Sequence, residues 1–150
     1  MAKKLPSNPL ISEVLQAASS AKTKKEKIKI LQEYKNDALL AILIWNFDET
    51  AKSALPEGDV PYTPSDAPAG TNYHTRLVVE HKKLFHFIQG ASDLNQNRKE
   101  MMFINMLESL HADEAEVLVL TKDGKLSSKY RITLPTVKEA FPEVTWGNRG

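Results

Sequence analysis

Cysteine is absent from the 150 residues, which removes disulfides, thiolate metal sites and cysteine nucleophiles together. Charge of one sign is scarce as well. Twenty Lys and Arg face nineteen Asp and Glu, a formal net charge of +1, so any surface for a polyanion must come from local clustering rather than from the sum. No stretch approaches the roughly 20 apolar residues of a membrane span, and MAKKLPSNPL lacks the apolar run of a signal peptide. These absences lead us to expect a soluble intracellular chain with no membrane partner.

Motifs of catalysis are missing too. His74, His81 and His86 never give the His-Glu-x-x-His spacing of a zinc helix, and His111 stands alone near a helix start. Glu13, Glu26, Glu33, Glu100, Glu108, Asp113, Glu114 and Glu116 fall on amphipathic helices, where a solvated face is the ordinary reading. There is no G-x-S-x-G elbow, no phosphate loop and no dinucleotide fingerprint. The expectation is a non-enzymatic protein with no metal and no cofactor.

What is present is a chain of 41% hydrophobic residues, enough for one domain that buries roughly two-thirds of its unfolded surface. The spacing predicts a mainly α protein, a compact multi-helix domain of helical hairpins spanning 1–150. Asn8 and Pro9 read as cap and first residue of a helix carrying Ile11, Val14, Leu15 and Ala18. Thr23 to Glu26 reads T-K-K-E, a capping box opening a second helix with Ile28, Leu31 and Tyr34 on its apolar face. ALLAILIW, within about Asp37 to Trp45, is apolar nearly all round and suits burial.

Residues 55–73 break the pattern with Pro56, Gly58, Pro61, Pro64, Pro68 and Gly70, and predict a long Pro/Gly-rich surface loop. Periodicity then returns with Leu77, Leu84, Phe85 and Ile88 and stops at Gly90. A helix of about four turns follows with Leu94, Met101, Met102, Ile104, Met106, Leu107 and Leu110. Ala112–Leu120 reads as helix from its acidic first turn, although VLVL and the RITL stretch leave a short strand pair open. Thr133 opens a last short helix, and 143–150 forms a C-terminal tail.

Three polar turns share one composition: AKTKKEK (21–27), GASDLNQNRKE (90–100) and KDGKLSSKYR (122–131). Each mixes cations with hydroxyls or amides, the inventory that binds phosphates. Lys22, Thr23, Lys24, Lys25 and Lys27 form the first candidate contact. Asn95, Asn97, Arg98 and Lys99 form the second. Lys122, Gly124, Lys125, Ser127, Ser128, Lys129 and Arg131 form the third, with Gly124 permitting close backbone approach. Polar, lysine-rich connections between helices are also common without any ligand.

From MAKKLPSNPLISEVLQAASSAKTKKEKIKILQEYKNDALLAILIWNFDET to KEAFPEVTWGNRG, essentially the whole chain resembles a family of small uncharacterised proteins encoded by large tailed phages, including those of cyanobacteria. The order ISEVLQ…AKTKKEKIKIL, LFHFIQGASDLNQNRKEMMFINMLESL and VLVLTKDGKLSSKYRITLPTVKEAFP is also similar to the all-helical N-terminal DNA-binding domain of phage-type ATP-dependent DNA ligases. The second resemblance implies that the three turns contact the backbone of double-stranded DNA. A ligase would need a nucleophilic lysine in K-x-D-G, whereas TKDG at 121–124 puts Thr121 there. The 26 residues after Gly124 leave no room for the ligase's later domains. The resulting expectation is a non-catalytic phage protein that binds duplex DNA with little sequence preference during replication, repair or recombination, in the cytoplasm of the infected host. The alternative is an adaptor or inhibitor docking on a phage replication protein or a host machine through Tyr62, Tyr73 and Trp146, since aromatics often anchor interfaces.

Overall fold

The computed structural model describes residues 9–48, 51–56, 58, 60–62, 75–90 and 93–144. Among them run seven α-helices: α1 (Ile11–Ser20), α2 (Lys24–Glu33), α3 (Asp37–Phe47), α4 (Leu77–Glu80), α5 (Gln96–Ser109), α6 (Ala112–Lys122) and α7 (Leu134–Ala140). Two 3-10 segments, His81–Phe87 and Leu126–Ser128, complete the list of helical elements. Strands are absent among the described residues. Only the isolated bridges Ser53 to Ile88 and Thr75 to Leu110 occur, and VLVL lies inside α6.

Local capping explains most of the helix starts. Thr23 Oγ1 accepts from the Glu26 amide at 3.2 Å, while the Glu26 carboxylate accepts from the Lys22 amide at 3.3 Å. Asn36 and Asn95 cap α3 and α5 through the amides of Leu39 and Arg98 at 2.8 and 2.9 Å, as their short acceptor side chains favour. The first helix departs from expectation. It opens at Ile11 with Leu10 at the cap position, Pro9 precedes it, and Asn8 lies outside the described residues.

Glu13 reaches back to the Leu10 amide at 2.8 Å, and Glu114 takes the Ile11 amide at 2.8 Å. Two carboxylates therefore do there what a capping hydroxyl does elsewhere.

The segment after Arg76 also departs from a single regular helix. Four α-helical residues give way at His81 to a seven-residue 3-10 run, in which side chains three apart eclipse. That period puts Leu84 and Phe87 in the core and leaves Phe85, expected on the apolar face, 49% exposed.

The core gathers around α3 and α6. α3 packs on α6, on α4 and on the 3-10 run, while α6 packs on α1 and α5, and α2 sits between α1 and α7. Trp45, Phe87 and Phe103 form an aromatic cluster with centroids 5.1–6.2 Å apart, within the range where edge-to-face pairs add stability. Of the Pro/Gly-rich stretch, Leu55 is buried and Val60 and Tyr62 pack against the core. The first part of this stretch is thus anchored, and 63–73 lies outside the described residues, as does most of the C-terminal tail.

Candidate nucleic-acid interface

The first polar turn joins α1 to α2. Lys22, Thr23, Lys24 and Lys25 are exposed, and Lys24 pairs with Glu139 of α7 at 2.7 Å while remaining half in solvent. Such a pair is weak and exchangeable. Lys27 is committed elsewhere. Its ammonium donates to the carbonyls of Ala18 and Ser19, both at 3.1 Å, satisfying the open end of α1 as a cation near a helix C-terminus should. Burial first, and then the Arg131 guanidinium nearby, pull the Lys27 pKa below its ordinary value.

That cation–cation proximity places the first turn beside the third. The Arg131 amide donates to Ser19 Oγ at 2.9 Å, linking residues that flank Lys22 and Lys129 in sequence. The third turn is itself tightly wound. Gly124 adopts φ +67°, its amide bonds to Thr121 O at 3.0 Å, and the Lys125 amide reaches Leu120 O at 2.8 Å. This paired closure ends α6 in the left-handed turn that glycine favours.

Ser127 Oγ donates to Ile132 O at 2.7 Å and Ser128 Oγ to Lys125 O at 2.6 Å, so both hydroxyls stabilise the turn rather than wait for a phosphate. Lys129 pairs with Glu116 and lies 5.6 Å from the centroid of the Tyr130 ring. Burial, together with Glu116 and Asp113, pushes the Tyr130 phenol up to about 12.

Lys122 requires a correction. Its side chain is 1% exposed, and the ammonium donates to Pro56 O at 2.7 Å, Gly58 O at 3.0 Å and Asp123 Oδ1 at 2.6 Å. A buried ammonium with three oxygen partners has no donor left for a phosphate. It anchors the Pro/Gly-rich segment to the end of α6. Thr121, at the place of a ligase nucleophile, is likewise buried and donates to Val117 O at 2.7 Å.

The second turn stands apart from the Ser19–Arg131 contact. Gln96 Nε2 donates to Ala54 O at 2.9 Å, so Ala54 on one side and Pro56 and Gly58 on the other bridge the start of α5 and the end of α6. Asn95 spends its side-chain oxygen on the α5 cap, and Lys99 is buried, contrary to its expected role as an anchor. Asn97 and Arg98 are exposed and line a groove along α5.

Two features escaped sequence reasoning. Ser19 lies in the last turn of α1, and nothing in its spacing marks it as the acceptor that joins two turns. Glu114 was expected on a solvated face but is fully buried, accepting from the amides of Ile11 and Leu77 at 2.8 and 3.0 Å. Among the described residues no group of three or more His, Cys, Asp or Glu is placed to hold a metal ion, and no helix is long and apolar enough to cross a membrane. The aromatic anchors of the adaptor alternative fare unevenly: Tyr62 is half-buried on the core, and Tyr73 and Trp146 lie outside the described residues.

No curated protein and no solved structure matches the chain. The sequence model of a family of unknown function, DUF6433, matches residues 14–128, and the chain belongs to that family.

Proposed function

We propose that this is a non-catalytic phage protein, active in the cytoplasm of the infected host, that binds the backbone of double-stranded DNA with little sequence preference in replication, repair or recombination. The observation that carries the reading is the hydrogen bond from the Arg131 amide to Ser19 Oγ, which sets the first and third turns side by side. Lys22, Lys25 and Arg131 are exposed there without an ion-pair partner among the described residues, and Lys125 is exposed on the same tightly closed loop. The first turn of α2 adds the partial positive charge of a helix N-terminus.

Cations, amides and a compact loop suit phosphate contact, which positions a duplex without reading its bases. The likeness to a ligase DNA-binding domain supports the same use of interhelical turns. Relative to the three-turn expectation, the site narrows to the first and third turns, because Lys99 is buried and Asn95 caps α5; within the two remaining turns Lys27 and Lys122 hold the fold.

Fluorescence anisotropy with a labelled duplex tests it. The expected result is binding that weakens with salt at a log–log slope of about −3 to −4, as for roughly four phosphate contacts, and falls about tenfold in Lys25→Glu and Arg131→Glu across unrelated sequences. Unchanged affinity in both variants, with helicity preserved, would exclude this surface.

A further inference from the structure

An apolar opening lies away from that surface, along α5. It is a groove of about 600 Å³ between α5 and the Leu77–Phe87 segment. Its apolar wall comes from Leu94, Met101, Met102 and Met106. From sequence these methionines belonged to a core stripe, yet Met101 is 57% exposed while Met106 is buried. The stripe therefore rolls out of the core along one side of the helix and ends in solvent. Unbranched thioether side chains repack around different partners at little cost, which suits them to an adaptable apolar contact.

The rim carries the information about the partner. Arg98 is exposed and has no carboxylate partner among the described residues. Across the groove Lys83 pairs with Glu80 at 3.0 Å, but the lysine side chain is 57% exposed and the glutamate only 16%. Glu80 is occupied further by the Thr75 hydroxyl at 3.1 Å. What an approaching molecule meets is thus a methionine floor between two cations, with the one acidic group screened and satisfied.

The lining residues of α5 run from Asn97 to Ser109, about 18 Å at the helical rise. That length accommodates three to four turns of a facing helix, a recurrent way for an apolar groove to be filled.

We infer that this groove docks an amphipathic helix of another protein, one whose apolar stripe seats on Met101 and Met102 and whose flanking carboxylates meet Arg98 and Lys83. A bare duplex does not fit: phosphates gain nothing from a thioether floor, and desolvating them against it is unfavourable. The inference stands independently of the DNA reading, since it uses different elements and different side chains.

Two labelled helical peptides of about 16 residues, identical in their leucine stripe and carrying either Glu or Lys on the flanks, provide the probes for an anisotropy titration of the full chain. The Glu peptide is expected to bind about tenfold more tightly than the Lys peptide at low salt. Arg98→Glu should erase or invert that order, and Met101→Lys should weaken the Glu peptide by a similar factor. Both positions are exposed, so both variants retain the fold. Equal binding of the two peptides, no binding at about 1 mM, or indifference to both substitutions overturns the inference. Concentration-dependent self-association abolished by Met101→Lys also overturns it, by giving the groove to a second copy.

Discussion

Glu114 shows how much one side chain can organise. It sits in the first turn of α6, where its own helix dipole favours a negative charge, and it accepts the opening amides of both α1 and α4. Three helix starts therefore converge on one buried carboxyl. Burial is the largest influence on its pKa and raises it above the ordinary 4.5, against the lowering effects of the Ile11 and Leu77 amides and of the Arg76 and His111 charges.

A carboxyl raised in this way contributes stability that is fully present below the unfolded pKa and is lost as pH rises through the folded one. The neutral isostere Glu114→Gln lacks that dependence. Urea unfolding of both proteins across pH 4–7 should therefore show wild type losing stability relative to Glu114→Gln as pH rises from about 4.5. Wild type holding its stability relative to Glu114→Gln, or gaining it, as pH rises would show that the two amide donors match or outweigh burial. Sequence offered no warning of this role, because an acidic residue near a helix start reads equally as dipole compensation on a wet face.

At the scale of elements, what was legible is what local chemistry decides. Thr23 with Glu26, the apolar α3 and the acidic first turn of α6 all state their helices in side chains a few residues apart. Where tertiary contacts decide, sequence was silent. The start of α1 depends on Glu114, more than a hundred residues away. The 3-10 run at His81–Phe87 depends on which of Leu84, Phe85 and Phe87 the core accepts.

Gly124 lies between these cases. It was expected to allow close approach of a ligand, and its left-handed conformation also closes α6. An added methyl would meet nothing nearer than Asn46 O at 3.7 Å, an ordinary contact, so the cost of Gly124→Ala comes from the left-handed backbone alone. That cost should be about 1 kcal/mol, measurable as a lowered urea midpoint with an unchanged slope. A loss several times larger would mean that the third turn tolerates no relaxation.

On the scale of the whole molecule, charge is sorted by location more than by amount. Lysines that looked equivalent in sequence divide into those that hold the fold, such as Lys27 and Lys122, and those that face water, such as Lys22 and Lys25. Burial and hydrogen-bond partners make that division, and neither is visible in a one-dimensional count of cations. The same sorting separates two surfaces, one cationic around Ser19 and Arg131, the other apolar with a cationic rim along α5.

Their separation makes DNA binding by the paired turns directly measurable by nitrogen–proton correlation NMR of the labelled full chain, titrated with a short DNA duplex at low salt. Amide shifts should concentrate in residues 22–27 and 124–131, with the α5 groove unmoved. Shifts confined to the groove, or none anywhere at saturating duplex, would contradict a DNA-binding role for the paired turns.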